Sequence, residues 1–248
     1  MKSKPLAMLV CVCCIVTCSS CATVLPTPIH AVAETSSPPI CTQDAPLPSP
    51  ADLYAPILEV YTAYADIFIT QDGSSADLVQ KLTDASGASE ELQLAIGDKA
   101  YQWSCMLTEL ALHASNSLIR SDFLHEIRDI DHNGIQELLL YLTDGTLLAT
   151  FTQKNGNALL LDAFWSRHRC LLREELFYFC NSNGADAIDY LTMRISASGT
   201  TLETVNGIRM DGTQFYRITG NETELIPQTE YQRTAAFYIN IFEKQPNV

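Results

Sequence analysis

The sequence predicts an α+β fold in which N-terminal helices pack on one face of a curved antiparallel meander sheet and a C-terminal helix closes the chain. Three observations carry this. Apolar residues recur at three- and four-residue spacing from Leu53 to Leu110. After Ser121 the pattern changes to short runs separated by Gly and Asn, and a helical period returns at Thr229 to Phe242.

The elements follow in order. Leu53, Ile57, Val60, Tyr61, Tyr64 and Ile67 form one helical stripe that ends before Gln71-Asp72-Gly73, and its tyrosines read as core. A short helix is expected around Asp77 to Leu82. A longer one is expected from Ser89, a fitting N-cap, to His113, with Leu92, Ile96, Trp103, Leu107 and Leu110 near one face. The predicted strands are 123–130, 137–142, 146–152, 158–165, 170–173, 177–181, 187–196, 202–205 and 214–218. Asp144-Gly145, Asn155-Gly156, Asn183-Gly184, Ser198-Gly199 and Asp211-Gly212 stand among the turns between them. Dense turns without long intervening helices argue for strands paired with their neighbours in sequence. The chain has too few strands for a propeller.

Ahead of this domain, placed at 51–248, two segments read as something other than fold. Residues 1–33 carry Lys2 and Lys4, an uncharged apolar run from Leu6 to Cys18, and Ala31-Val32-Ala33, the pattern of an export signal. Cleavage after Ala33, lipidation at Cys21 or Cys18, and retention as an N-terminal anchor all remain open. Residues 34–50 hold five prolines among Ser, Thr and Asp, so they read as a Pro/Ser-rich tether that reaches up to roughly 50 Å when extended. The expected location is outside the cell, either secreted or attached to the outer face of the cell membrane.

Charge narrows the partners. The chain carries a net charge of −14, and loss of residues 1–33 leaves 13 basic against 29 acidic residues, or −16. Such a surface repels nucleic acid and anionic membranes, so contact with a membrane is expected only through the signal or a lipid. Five of the nine cysteines lie in the signal. Cys41, Cys105, Cys170 and Cys180 remain, with three possible pairings or as free thiols. A three-residue turn centred on Glu175 would set Cys170 opposite Cys180 and permit a disulfide, whereas a two-residue turn at Glu174-Glu175 would not.

Chemistry concentrates in Asp129-Ile130-Asp131-His132-Asn133-Gly134-Ile135-Gln136-Glu137. Asp129, Asp131 and Asn133 fall at alternate positions and can point inward. Gly134 permits the sharp turn, Ile135 can offer its carbonyl, and Glu137 can close the shell. An all-oxygen donor set suits Ca²⁺ better than zinc. An EF-hand would place Glu at the twelfth position, but that position is Leu140, and 137–142 reads as a strand. The plain alternative is a polar hairpin turn built on Asn-Gly. In either case the role is structural, since the sequence identifies no acid or base group beside the loop.

These nine residues resemble the strand-flanked calcium loops of FG-GAP and related repeat proteins, although those families repeat the loop and this chain has one copy. Signal, tether, helical start and loop entering a sheet together resemble a loose group of uncharacterised exported proteins and lipoproteins of Gram-positive gut anaerobes. The specific motif covers only 129–138. The resemblance implies a structural Ca²⁺ and no activity.

There is no Gly-x-Ser-x-Gly elbow, phosphate-binding loop, dinucleotide fingerprint or zinc helix. His113, His125, His132 and His168 are scattered and read as ordinary surface or packed histidines. The sequence thus favours an exported binding module whose partner is an extracellular protein or glycan. The alternative is a carboxylate-dependent extracellular hydrolase using carboxylates near the loop; Asp162, Asp186 and Asp189 could supply a glycosidase pair only if the fold sets two carboxylates at a suitable separation.

Overall fold

The computed structural model describes residues 48–69, 74–87, 89–114, 122–184 and 186–243. The expected signal, the tether as far as Leu47, and Cys41 lie outside them. Ala45–Val248 forms one compact unit. Among the described residues no helix is long and apolar enough to cross a membrane.

The first helix, α1, spans Pro50–Ile69. Ser49 starts it: its hydroxyl accepts from the Asp52 N–H at 3.2 Å and donates to the Asp52 carboxylate at 2.6 Å. Proline at the first helical position loses no hydrogen bond. Helix α2, Ser75–Gly87, opens on a reciprocal exchange between Ser74 and Asp77. The expected long helix is divided into α3 (Glu90–Ile96), a 3-10 turn (Gly97–Lys99) and α4 (Ala100–Ala114). Ser89 caps α3 as predicted, by accepting from the Leu92 N–H. The break falls at Gly97, whose φ of +52° is open to glycine at little cost and lets its N–H close onto the Gln93 carbonyl.

Ten strands follow, and they make two sheets where one was expected. The first contains β1 (Phe123–Arg128), β2 (Glu137–Leu142), β3 (Leu147–Lys154) and β4 (Asn157–Ala163), side by side in that order. The second contains β5 (His168–Arg173), β6 (Leu176–Gly184), β7 (Ala187–Ile195), β8 (Leu202–Asp211), β9 (Gln214–Thr219) and β10 (Glu222–Leu225). Every neighbouring pair is antiparallel, so each sheet is a meander. Register shifts at Leu140/Tyr141, Thr150/Phe151 and Thr192/Met193 mark bulges that bend and twist the strands. The last helix, α5, spans Gln228–Glu243.

The layers run helices, sheet, sheet, helix. Leu138, Leu140, Leu148, Phe151 and Leu160 of the first sheet join Tyr54, Ile57, Tyr64, Leu92, Trp103 and Leu107 in the largest core. The opposite face gives Leu139, Leu147 and Leu161 to a second core with Phe177, Phe179 and Ile195 of the second sheet. Tyr231, Ala235 and Tyr238 of α5 cover the far side of that sheet around Ile208. The tyrosines of α1 are core, as predicted, and two also anchor. Tyr54 donates to the Gln136 carbonyl at 2.8 Å and Tyr61 to the Tyr141 carbonyl at 2.9 Å. Burying each such ring contributes on the order of 1.5–3 kcal/mol.

The Cys170–Cys180 bridge is corrected. Arg173 pairs with Leu176, so the β5–β6 turn has two residues, Glu174 and Glu175, and Cys170 faces Phe179 while Cys180 faces Arg169. One residue of register puts the two thiols on opposite faces, Cys170 in the core between the sheets and Cys180 against α5. Cys105, Cys170 and Cys180 are free. Peptide maps made without reductant should recover all three as alkylated thiols. In the native protein Cys170 should resist the reagent, because burial raises its pKa and excludes solvent. A peptide cross-linked through Cys170 would overturn this register.

The start of α1 sharpens a prediction about the tether. Deleting Glu34 to Pro48 leaves the Ser49 cap in place and should change stability by less than about 0.5 kcal/mol. Extending the deletion through Ser49 should cost about 1 kcal/mol more, the usual loss for an N-cap. Chemical denaturation of the two deletions measures the difference, and a large loss from the shorter one would mean that the tether packs on the domain.

Candidate metal centre

The loop between β1 and β2 is folded by its own side chains. Asp129 accepts from the Asn133 N–H at 3.1 Å and the Gly134 N–H at 2.9 Å, one on each carboxylate oxygen. Asp131 accepts from the Asn133 backbone at 3.3 Å and side-chain amide at 3.0 Å, and the Asn133 Oδ1 accepts from the Ile135 N–H at 2.7 Å. The turn requires left-handed backbone at His132 (φ +57°) and Gly134 (φ +87°). Such angles come readily to glycine but are uncommon for other residues, so the hydrogen bonds must hold His132 there.

Glu137, the first residue of β2, is 0% exposed. Its Oε2 accepts from the Ile130 N–H at 2.9 Å and its Oε1 from the Thr152 hydroxyl at 3.2 Å. Asp129, Asp131 and Glu137 each bring a carboxylate oxygen to one place, all within 4.8 Å of one another. That fits the roughly 4.6–5.2 Å that separates oxygens across a Ca²⁺ ion. Burial first, then the charges of Asp131 and Asp129, push the Glu137 pKa up to about 7 against the Ile130 and Thr152 hydrogen bonds. Among the described residues no Lys or Arg forms an ion pair with any of the three. The group can hold a metal ion, which would supply the missing positive charge.

Of the five predicted ligands, the structure brings together Asp129, Asp131 and Glu137. Asn133 fastens the loop through both ends of its amide, and the Ile135 N–H serves the same framework. The site also touches the second sheet. Ile130 is buried in the core between the sheets. The β7–β8 turn lies against the loop, where a Cβ on Gly199 would come within 3.5 Å of the Asn133 amide nitrogen. His132 Nε2 stands 3.1 Å from Glu175 in the β5–β6 turn. Thr152, fifteen residues from Glu137 and on a neighbouring strand, carried no sequence signal. Only the β2–β3 register places it beneath the carboxylate.

The carboxylates considered for hydrolysis are otherwise engaged or exposed. Asp162 meets His168 Nε2 at 2.9 Å, and Asp189 takes a bidentate pair from Arg209 at 2.8 and 3.0 Å. Asp186 is exposed in the β6–β7 turn. His125 is exposed on β1, and the His113 side chain lies outside the described residues. Compared with known proteins, the chain matches no family model, no curated protein and no solved structure.

Proposed function

We infer that this chain is an exported binding or interaction module, secreted or held at the outer face of the cell, whose fold is stabilised by Ca²⁺ at the β1–β2 loop. The observation that carries the metal reading is Glu137, a fully buried carboxylate that shares its surroundings with Asp129 and Asp131. Without a cation this arrangement sets negative charges against one another in a poorly solvated place; with one it becomes a mutually supportive shell. Asp129, Asp131 and Glu137 would hold the ion, with the Asn133 side chain and the Ile135 carbonyl completing it. The all-oxygen set favours a hard cation, and Ca²⁺ accepts irregular oxygen shells that the more demanding Mg²⁺ does not.

The export reading rests on residues 1–33, and the binding reading on the engagement of Asp162 and Asp189, which weakens the hydrolase alternative. The partner would be an extracellular protein or glycan. Calorimetric titration of chelator-treated protein should give one Ca²⁺ site, a weaker Mg²⁺ response, and no heat from Glu137→Gln. A flat titration of the wild-type protein would sink the metal reading.

A further inference from the structure

A second polar constellation lies where the chain turns from the first sheet into the second. His168 opens β5, Asp162 lies near the end of β4, and Asn181 faces His168 across the β5–β6 register. His168 Nε2 is 2.9 Å from Asp162 Oδ2 and Nδ1 is 2.6 Å from Asn181 Oδ1, so both ring nitrogens face acceptor oxygens. A neutral imidazole has one N–H and satisfies one of these contacts; an imidazolium has two and satisfies both. The ring is enclosed by Phe164, Trp165 and Phe179, with centroids at 5.7, 4.8 and 5.2 Å. Those π faces favour a cation.

Charged and titratable neighbours come from each packed element. Asp162 comes from β4. On β5 Cys170 stays a neutral thiol, its pKa raised by burial, and Arg169 is exposed, as is Arg167 in the turn just before the strand. Beyond Asn181, Asp189 on β7 is neutralised by Arg209 on β8. From α4, Glu109 reaches the connecting segment at Ser166 Oγ, 3.2 Å away.

We propose that Asp162, His168 and Asn181 form a proton-operated latch at the corner between the two sheets, closed by the imidazolium and loosened when His168 releases a proton to solvent. The side chains of His168 and Asp162 are 18% and 13% exposed, which gives that proton a way out. Loss of the Nδ1 proton leaves a nitrogen lone pair against an oxygen, so the Asn181 amide must rotate to present its N–H, while Nε2–H stays on Asp162. It also leaves the Asp162 carboxylate facing a neutral N–H in place of a cation, with the Ala163 N–H still donating to its Oδ1 at 2.9 Å. A donor stands ready: Thr150 is paired with Asp162 across β3 and β4, and its hydroxyl is buried without a hydrogen-bond partner. A carboxylate with two alternative partners is a two-state element.

The test follows the His168 ring and the Trp165 indole by NMR across pH in the full chain. Both should titrate with one midpoint, because the indole lies against the ring. Asn181→Asp adds an acceptor that cannot rotate into a donor and should move both midpoints upward together by about one pH unit. Thr150→Val removes the open-state donor and should move them in the same direction. A Trp165 signal indifferent to the His168 transition overturns the latch even if neither variant folds, and so does an unchanged midpoint in either variant.

Discussion

Adding chelator should lower the melting temperature by roughly 5–10 °C relative to protein in Ca²⁺ at a hundredfold excess over its dissociation constant. Linkage at that excess contributes about 2.7 kcal/mol, and a domain of this size shifts by about 2–4 °C per kcal/mol. Asp129→Ala should abolish the response: Asp129 supplies one of the three convergent oxygens and also holds the Asn133 and Gly134 N–H groups. The variant should therefore melt lower than chelated wild type, since it loses the internal fastening as well. Glu222→Ala, which removes an exposed acid on β10, should keep the full response. Identical melting curves with and without chelator would rule out a stabilising ion.

Without metal, stability should fall as pH rises from about 4.5 to about 7, which is opposite to the usual behaviour of acids held in salt bridges. The ordinary glutamate value is 4.5, and burial with the neighbouring aspartates raises that of Glu137 to about 7. The folded state therefore holds this proton more tightly than the unfolded one. The contribution is fully present below about 4.5 and gone above about 7. Ca²⁺ should reverse the sense by binding the ionised carboxylate, so affinity rises through the same window with release of about one proton. Glu137→Gln carries no titrating group at this position and should lose this part of the fall. Urea denaturation in chelator at pH 5 and pH 7.5 decides this: equal losses in wild type and Glu137→Gln would mean that the pH dependence arises elsewhere.

What could be read in the sequence was local. The spacing of Asp129, Asp131 and Glu137 lies within nine residues, and Ser89 announces its helix three residues ahead of the N–H it caps. The number of layers was not legible. Leu138-Leu139-Leu140 is buried on both faces, so the alternation that would assign one face to core and the other to solvent is missing. β10 escaped notice because all four of its residues are exposed and two are glutamates, which gives no apolar run. The thiol pairing turned on a single residue in the β5–β6 turn, a quantity that pattern alone leaves free. Asn181 beside His168, and Thr152 beneath Glu137, follow from register and from nothing nearer in the chain.

The order in which the structure assembles follows from its meanders. Each strand pairs with the one just before or after it, so loop closure is short and cheap throughout both sheets. The hydrogen bonds of Tyr54 and Tyr61 instead span 82 and 80 residues, and both acceptors belong to or border β2. The N-terminal helices, though made first, have no surface to settle on until β1–β4 exist. Substitutions at Tyr54 or Tyr61 should then accelerate unfolding while leaving the refolding rate nearly unchanged, the signature of contacts that form after the rate-limiting step.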